Sequence, residues 1–142
     1  MTTPGDARDL ICRIASGDLD AEIVARTDHA IAFLDHRPVF YGHTLVCPIA
    51  HIETLPEIPA EELAPLMSLV QRVAAAMVTG LGAQGSFVAI NNTVSQSVPH
   101  LHVHVIPRTK GDGLKGFFWP RRAYGEGQAA SYATLLRDAL QA

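Results

Sequence analysis

Gln96-Ser97-Val98-Pro99-His100-Leu101-His102-Val103-His104-Val105-Ile106-Pro107-Arg108 places three histidines at alternate positions and fills the gaps with Leu101, Val103 and Val105. Strict alternation is the pattern of a strand, because side chains two residues apart share a face. The three imidazoles would stand in a row about 6.6 to 6.8 Å apart at the backbone, with the aliphatic residues pointing the other way into a core. Pro99 and Pro107 bound the run, since proline cannot donate to a sheet ladder. The strand is therefore expected over residues 100 to 106.

Imidazole has an unperturbed pKa of about 6.5, so near neutral pH it serves as nucleophile, base, acid or metal ligand. Protonating one ring makes its neighbours resist protonation. Such a set holds a mixture of neutral and charged rings, which suits one nucleophile working beside one proton donor. A metal site is the rival reading, because His-x-His on a strand can place two nitrogens on one ion. A solvated face does not explain why the intervening residues are so uniformly apolar.

The run His-Leu-His-Val-His-Val-Ile resembles the histidine triad (HIT) family of nucleotidyl hydrolases and transferases, whose motif alternates three histidines with hydrophobic residues. Gln96-Ser97-Val98 before it and Pro107-Arg108 after it also match that family. Upstream, Ala32-Phe33-Leu34-Asp35, Gly42-His43-Thr44-Leu45-Val46 and Pro48 to His51 follow in the family's order, so the resemblance covers roughly residues 10 to 110. The segment from Gly111 to Pro120 looks like the bacterial type. The resemblance implies an α+β fold: a HIT-like five-stranded antiparallel sheet with one long packed helix and short terminal helices. It also implies a homodimer.

Length and composition agree with that class. A chain of 142 residues is expected to form a single domain over 1–142, with 1–6 disordered, and the resemblance implies that 111–142 is a variable carboxy-terminal segment. The net charge of −3 argues against broad binding of nucleic acid or anionic membrane. The apolar runs are short and interrupted, so no bilayer-spanning segment is expected, and residues 2 to 9 lack the pattern of a secretory signal. Cys12 and Cys47 are too few for a disulfide framework, which makes a cytoplasmic location the expectation.

Asp6 to Ala15 is expected as a short helix ended by Gly17-Asp18. Glu22 to Arg26 and Ala30 to Leu34 form a hairpin across Thr27-Asp28-His29, and Thr44 to Cys47 a strand ending at Pro48. Leu63, Leu66, Met67, Val70, Val73, Ala74 and Met77 mark an amphipathic helix that starts near Ala60 and ends at Gly80 or Gly82, with Pro65 near its first turn. Ser86 to Ile90 reads as a short buried strand, and Gln128 to Leu140 as a terminal helix. Phe117, Phe118 and Trp119 could line a substrate pocket or a subunit interface.

By resemblance, His102 is the nucleophile on the α-phosphorus of a bound nucleotide, oriented by a bond from its other ring nitrogen to the carbonyl of His100. His104 hydrogen-bonds the phosphoryl oxygens or the departing group, where charge develops as the bond to phosphorus breaks. Gln96 and Ser97 hold the phosphate and leaving group, with Ser97 the better candidate for proton delivery. Asp35 accepts both ribose hydroxyls, unless it only bonds its own backbone. Asn91, in preference to Asn92, contacts the nucleotide. Phe33, Ile11 and Ile14 are candidates for the base pocket, although Ile11 and Ile14 read equally well as plain core. His43, at a position the family often fills with histidine, reads as structural or as bordering the site, and His29 and His36 read as surface residues.

No cofactor is required for such a reaction, because neutral imidazole is already a good nucleophile. Some family members bind structural zinc through a Cys-x-x-Cys pair, a later histidine and the first triad histidine. Cys12, His51 and His100 stand in those places here, with Asp9 where the first cysteine would be. Zinc accepts carboxylate oxygen, but losing a thiolate weakens the set. The small-molecule partner implied is a nucleoside phosphoramidate, dinucleoside polyphosphate or related nucleotide ester. The competing class is a nucleotide-binding regulatory module with little turnover, and a weaker third is a metal-dependent hydrolase.

Overall fold

The strands are β1 (Ile23–Arg26), β2 (Ala30–Leu34), β3 (Thr44–Pro48), β4 (Gly85–Ile90) and β5 (Val103–Arg108); the helices are α1 (Leu10–Ser16), α2 (Ala60–Leu81) and α3 (Gln128–Gln141). The computed structural model describes residues 9–114 and 119–142. The expected disordered start at 1–6, Phe117 and Phe118 lie outside the described residues. The strands form one antiparallel sheet in the order β1-β2-β3-β5-β4, so the expected five-stranded antiparallel sheet with one long helix is the fold observed.

The β1–β2 turn closes as its sequence demands. Thr27 N donates to Ala30 O at 2.8 Å, and its hydroxyl oxygen accepts from Ala30 N at 3.0 Å, a local use of a threonine side chain that favours turns. Along β2 the residues alternate between the two faces. Ala30 and Ala32 join the cluster beneath α2, whereas Ile31 and Phe33 join a second cluster with Ile11, Ile14 and Cys47 on the face covered by α1. Strand β2 is therefore covered on both faces, which explains why it contains no polar residue.

The histidine strand departs from its expected limits. β5 begins at Val103, three residues later than the alternation predicts, and runs through Pro107. Before it, His100 N donates to Val98 O at 2.8 Å and Leu101 N to Ile52 O at 2.7 Å. These bonds tie the segment to neighbouring loops instead of the ladder. Pro107 is tolerated because β3 pairs with β5 only as far as Thr44↔Val105, leaving β4 as the one ladder neighbour at Pro107. The alternation of faces survives all the same, since Leu101, Val103 and Val105 are each fully buried in the cluster under α2.

Helix α1 starts at Leu10, where Asp9 has extended backbone and caps it, its carboxylate accepting from Cys12 N at 2.7 Å; the expected start at Asp6 lies outside the described residues. In α2 the buried stripe is Leu66, Leu69, Val70, Val73 and Met77, whereas Leu63 and Met67 are exposed. Leu69, absent from the expected stripe, is part of the buried one. Pro65 is the sixth residue of α2, one turn deeper than expected, so one i→i−4 bond is missing. Gly82 stops the helix in a left-handed conformation at φ 72°. By length and mean hydropathy of 1.3, α2 does reach the range of a bilayer span, which corrects the expectation that no segment would. Its apolar stripe is instead spent on the sheet.

β4 is not the buried strand its sequence suggested. It lies at a sheet edge, with Ser86 and Val88 exposed. The unit formed by residues 113–142 contains α3, which starts at Gln128 as expected; the Gln128 side chain accepts from Gly125 N at 2.9 Å.

Candidate active site

His102 is held by its own backbone. Its Nδ1 lies 2.7 Å from the carbonyl oxygen of His100, and the ring is 4% exposed. A carbonyl only accepts, so Nδ1 carries the proton. In a neutral ring, Nε2 is then left with a lone pair. The result is an imidazole with a fixed tautomer and its basic nitrogen directed away from the main chain.

His104, the next position on the same face, stacks edge-on against His102 with ring centroids 5.1 Å apart. On its other side stands His43, whose Nε2 lies 2.9 Å from His104 Nδ1. Val39 N donates to His43 Nδ1 at 3.2 Å. Burial, reinforced by the neighbouring His102 and His43 and opposed by Asp35, lowers the His104 pKa to about 4. Burial also lowers that of His43 against the pull of Asp35. Both rings are neutral at physiological pH. This contact of His43 escaped the sequence reading, because only the register Leu45↔His104 places residues 43 and 104 near one another on one face.

The first triad histidine faces different company. His100 is fully buried, with Nε2 2.8 Å from Pro48 O and Nδ1 3.2 Å from Asp9 Oδ2. The three rings are thus not an equivalent row: His102 and His104 share one environment, and His100 belongs to a cluster with Asp9, Cys12 and His51. In that cluster Cys12 Sγ lies 3.6 Å from His51 Nδ1 and 3.5 Å from His100 Nδ1. Asp9 Oδ2 lies 3.2 Å from Cys12 Sγ and 2.7 Å from His51 Nδ1. Tetrahedral zinc with ordinary bond lengths separates its ligand atoms by roughly 3.3 to 3.7 Å, so all but the shortest contact are close to the edges of such a site. The bond to Pro48 places the proton of a neutral His100 on Nε2 and turns the Nδ1 lone pair inward, as an outer-sphere carbonyl does for a metal-bound histidine. Burial opposes ionisation of Asp9, but the bonds from Cys12 and the His100 ring outweigh it and hold the carboxyl below its ordinary pKa. The donor set fits a divalent cation.

The loop before the triad is held by Gln96. Its Oε1 accepts from Thr93 N at 2.8 Å and its Nε2 donates to Glu53 O at 2.6 Å. The same loop contains Thr93 and Ser95 at φ 70° and 61°, strained values for residues with a Cβ. The Gln96 amide thus has a structural duty beside any contact with phosphate. Asn92 Oδ1 accepts from Leu55 N at 2.8 Å, while Asn91 and Ser97 are exposed. Asp35 Oδ1 accepts from Arg37 N at 2.9 Å, and its Oδ2 lies 3.8 Å from His43 Nδ1. Ile11, Ile14 and Phe33 are 1%, 7% and 3% exposed within one apolar cluster, so the structure places them as packed core on the triad's side of the sheet. His29 pairs with Glu62 at the surface, and His36 is exposed.

Residues 16–111 match the model of the HIT domain family. The chain belongs to the HIT family. Adenosine 5'-monophosphoramidase hnt1 of Schizosaccharomyces pombe is 34% identical over 113 residues, covering 78% of this chain and 82% of that one. A crystal structure of a HIT family member from Bacillus subtilis superposes with a TM-score of 0.84 at 33% identity, over 92% of this chain and 96% of that chain. A zinc-bound histidine triad family protein from Mycobacterium smegmatis gives a TM-score of 0.73 at 35% identity, over 95% and 99% of the two chains. Hydrolases acting on nucleotide derivatives are thus among the relatives of this HIT protein.

Proposed function

We propose that this HIT protein is a nucleotidyl hydrolase or transferase that works through a covalent nucleotidyl-histidine on His102. The observation that supports it most is the bond from His102 Nδ1 to the His100 carbonyl, which leaves Nε2 as a nucleophile with a fixed tautomer. His102 Nε2 attacks the α-phosphorus, the bond from phosphorus to the leaving group breaks, and the leaving group departs with the Ser97 hydroxyl proton, which the incoming water or acceptor returns in the second half. His104 donates a hydrogen bond to the phosphoryl oxygens or to the departing atom as negative charge accumulates. Water, or a second acceptor, then displaces the nucleotide and restores neutral His102.

Asp35, Asn91 and Gln96 are assigned to the nucleotide's sugar and phosphate, and the surface over Phe33, Ile11 and Ile14 to its base. A zinc ion held by Asp9, Cys12, His51 and His100 would tie α1 and the loop after β3 to the triad. Its chemistry would be structural, because the reacting nitrogen belongs to His102. Two copies would associate as a homodimer, as the family resemblance implies.

A panel of nucleoside phosphoramidates, dinucleoside polyphosphates and nucleotide sugars tests the reading. Turnover of at least one class is expected, and His102→Ala should lose it while still binding nucleotide. A His102→Ala protein as active as the parent would refute the assignment, and binding without turnover across the panel would favour a regulatory module.

A further inference from the structure

We propose that His43 is a positioning residue that locks His104 into the tautomer with its proton on Nε2, so that His104 meets the substrate as a hydrogen-bond donor. This deepens the proposed reaction and rests on it for its functional meaning.

Three groups form a hydrogen-bonded chain whose first donor cannot reverse. A backbone N–H only donates. Val39 N, 3.2 Å from His43 Nδ1, therefore makes Nδ1 an acceptor without a proton. The proton of a neutral His43 then sits on Nε2, which lies 2.9 Å from His104 Nδ1. That N–H donates into the Nδ1 lone pair of His104, and the remaining proton of a neutral His104 must be on Nε2. One main-chain amide in the loop before β3 thus sets the polarity of a side chain two links away. Asp35 does not compete for the first link: its nearer oxygen is 3.8 Å from His43 Nδ1, and the other accepts from Arg37 N.

The chain needs both rings neutral, and the burial that lowers both pKa values keeps them so. It also needs His43 not to rotate. His43 is 3% exposed, and its main chain is bonded on both sides, N to Phe40 O at 3.0 Å and O to Asp35 N at 2.9 Å. The opposite tautomer of His104 would present a lone pair to an anionic phosphoryl oxygen, turning an attraction into a repulsion. Fixing the tautomer in advance removes that reorganisation from the chemical step.

Two measurements on the full chain test the inference. The first uses nitrogen-15-labelled histidine and long-range proton–nitrogen NMR near pH 7, where His104 is expected with Nε2 protonated and Nδ1 bare. A His104 ring protonated on Nδ1, or on both nitrogens, would overturn the proposal without reference to any reaction. The second is single-turnover formation of the His102 adduct from adenosine 5'-monophosphoramidate. His43→Phe keeps the ring volume but has no donor, and should slow adduct formation about 10- to 100-fold with little change in KM. His43→Gln, whose amide can still donate to His104, should recover most of the rate. Adduct formation in His43→Phe at the parent rate would overturn the proposal. Absence of any adduct in the parent protein would instead refute the reaction, leaving the NMR result to decide the tautomer. Should His43→Phe fail to fold, the NMR result on the parent decides the matter.

Discussion

The Nδ1 of His102 and the carbonyl oxygen of His100, two residues apart in the chain, lie 2.7 Å from each other. The contact links two halves of the site. On one side the His100 ring is clamped by Asp9 and Pro48 O; on the other the His102 ring stands edge-on to His104, with centroids 5.1 Å apart. Whatever fixes His100 therefore also fixes the His102 ring.

Asp9 holds that clamp, and Asp9→Ala should be costly. It removes the cap of α1, about 1 kcal/mol, and strips buried ring nitrogens of a partner, about 1 to 3 kcal/mol. Together these predict a fall in Tm of roughly 6 to 16 °C for a domain of this size. Thermal unfolding followed by circular dichroism measures it, and an unchanged Tm would show that the cluster bears no load.

Zinc gives the same cluster a second readout. Added Zn2+ should bind one ion per chain with a rise in Tm, and Co2+ in its place should show the thiolate charge-transfer and tetrahedral d–d absorption expected of a site with one cysteine. Asp9→Ala should weaken both. Turnover should persist in excess chelator, because the ion would only brace the fold; activity abolished by chelator and restored by a divalent ion would contradict that role.

Gly42 sits at φ 98°, and a Cβ there would lie 2.5 Å from Leu81 Cδ1. Gly42→Ala is expected to lose about 1 to 3 kcal/mol from backbone strain, with a further loss if Leu81 cannot swing aside. The loop it ends delivers His43, so adduct formation should slow as well. Urea denaturation at parental midpoint would contradict the prediction.

Much of this architecture was legible in the residues themselves. The hairpin at Thr27 and the start of α2 at Ala60 follow from local chemistry that does not depend on distant partners, whereas the choice between Gly80 and Gly82 as its stop is made only in the folded chain, at Gly82. The limits of β5 are not local either. His100 and Leu101 alternate like strand residues, yet Leu101 N is taken by Ile52 O, a competition that only the folded chain decides. The rotation of the α2 stripe toward Leu69 is likewise set by which face the sheet covers. In the site, the bond from His102 to the His100 carbonyl was expected from the family resemblance, whereas His43 was not placed against His104, because strand register cannot be read from one sequence. Gln96 looked like a phosphate ligand, and its second duty depends on Glu53, far away in the chain.

Stability should also depend on pH. His104, lowered from 6.5 to about 4, and His43, lowered in the same direction, take up protons more readily when unfolded. Their contribution is complete above about pH 6.5 and is lost as pH falls toward 4. One such proton changes stability by at most about 1.4 kcal/mol per pH unit, and less here because His104 is partly exposed. The lowered carboxyl of Asp9 adds a loss in the same direction below its ordinary value of 3.8. Urea midpoints at about pH 7.5, 6 and 5 should fall in that order, and a flat series would contradict the burial of neutral histidines.

The most direct test is the mass of the protein during turnover. Brief incubation with a nucleoside phosphoramidate, quenched without acid and followed by intact mass and peptide mapping, should show one nucleoside monophosphate on the peptide containing His102, and none on His102→Ala. Loss of His102 should lower turnover by about 10⁴-fold or more. Turnover in the parent protein with no adduct, or with the nucleotide attached elsewhere, would contradict His102 as the nucleophile.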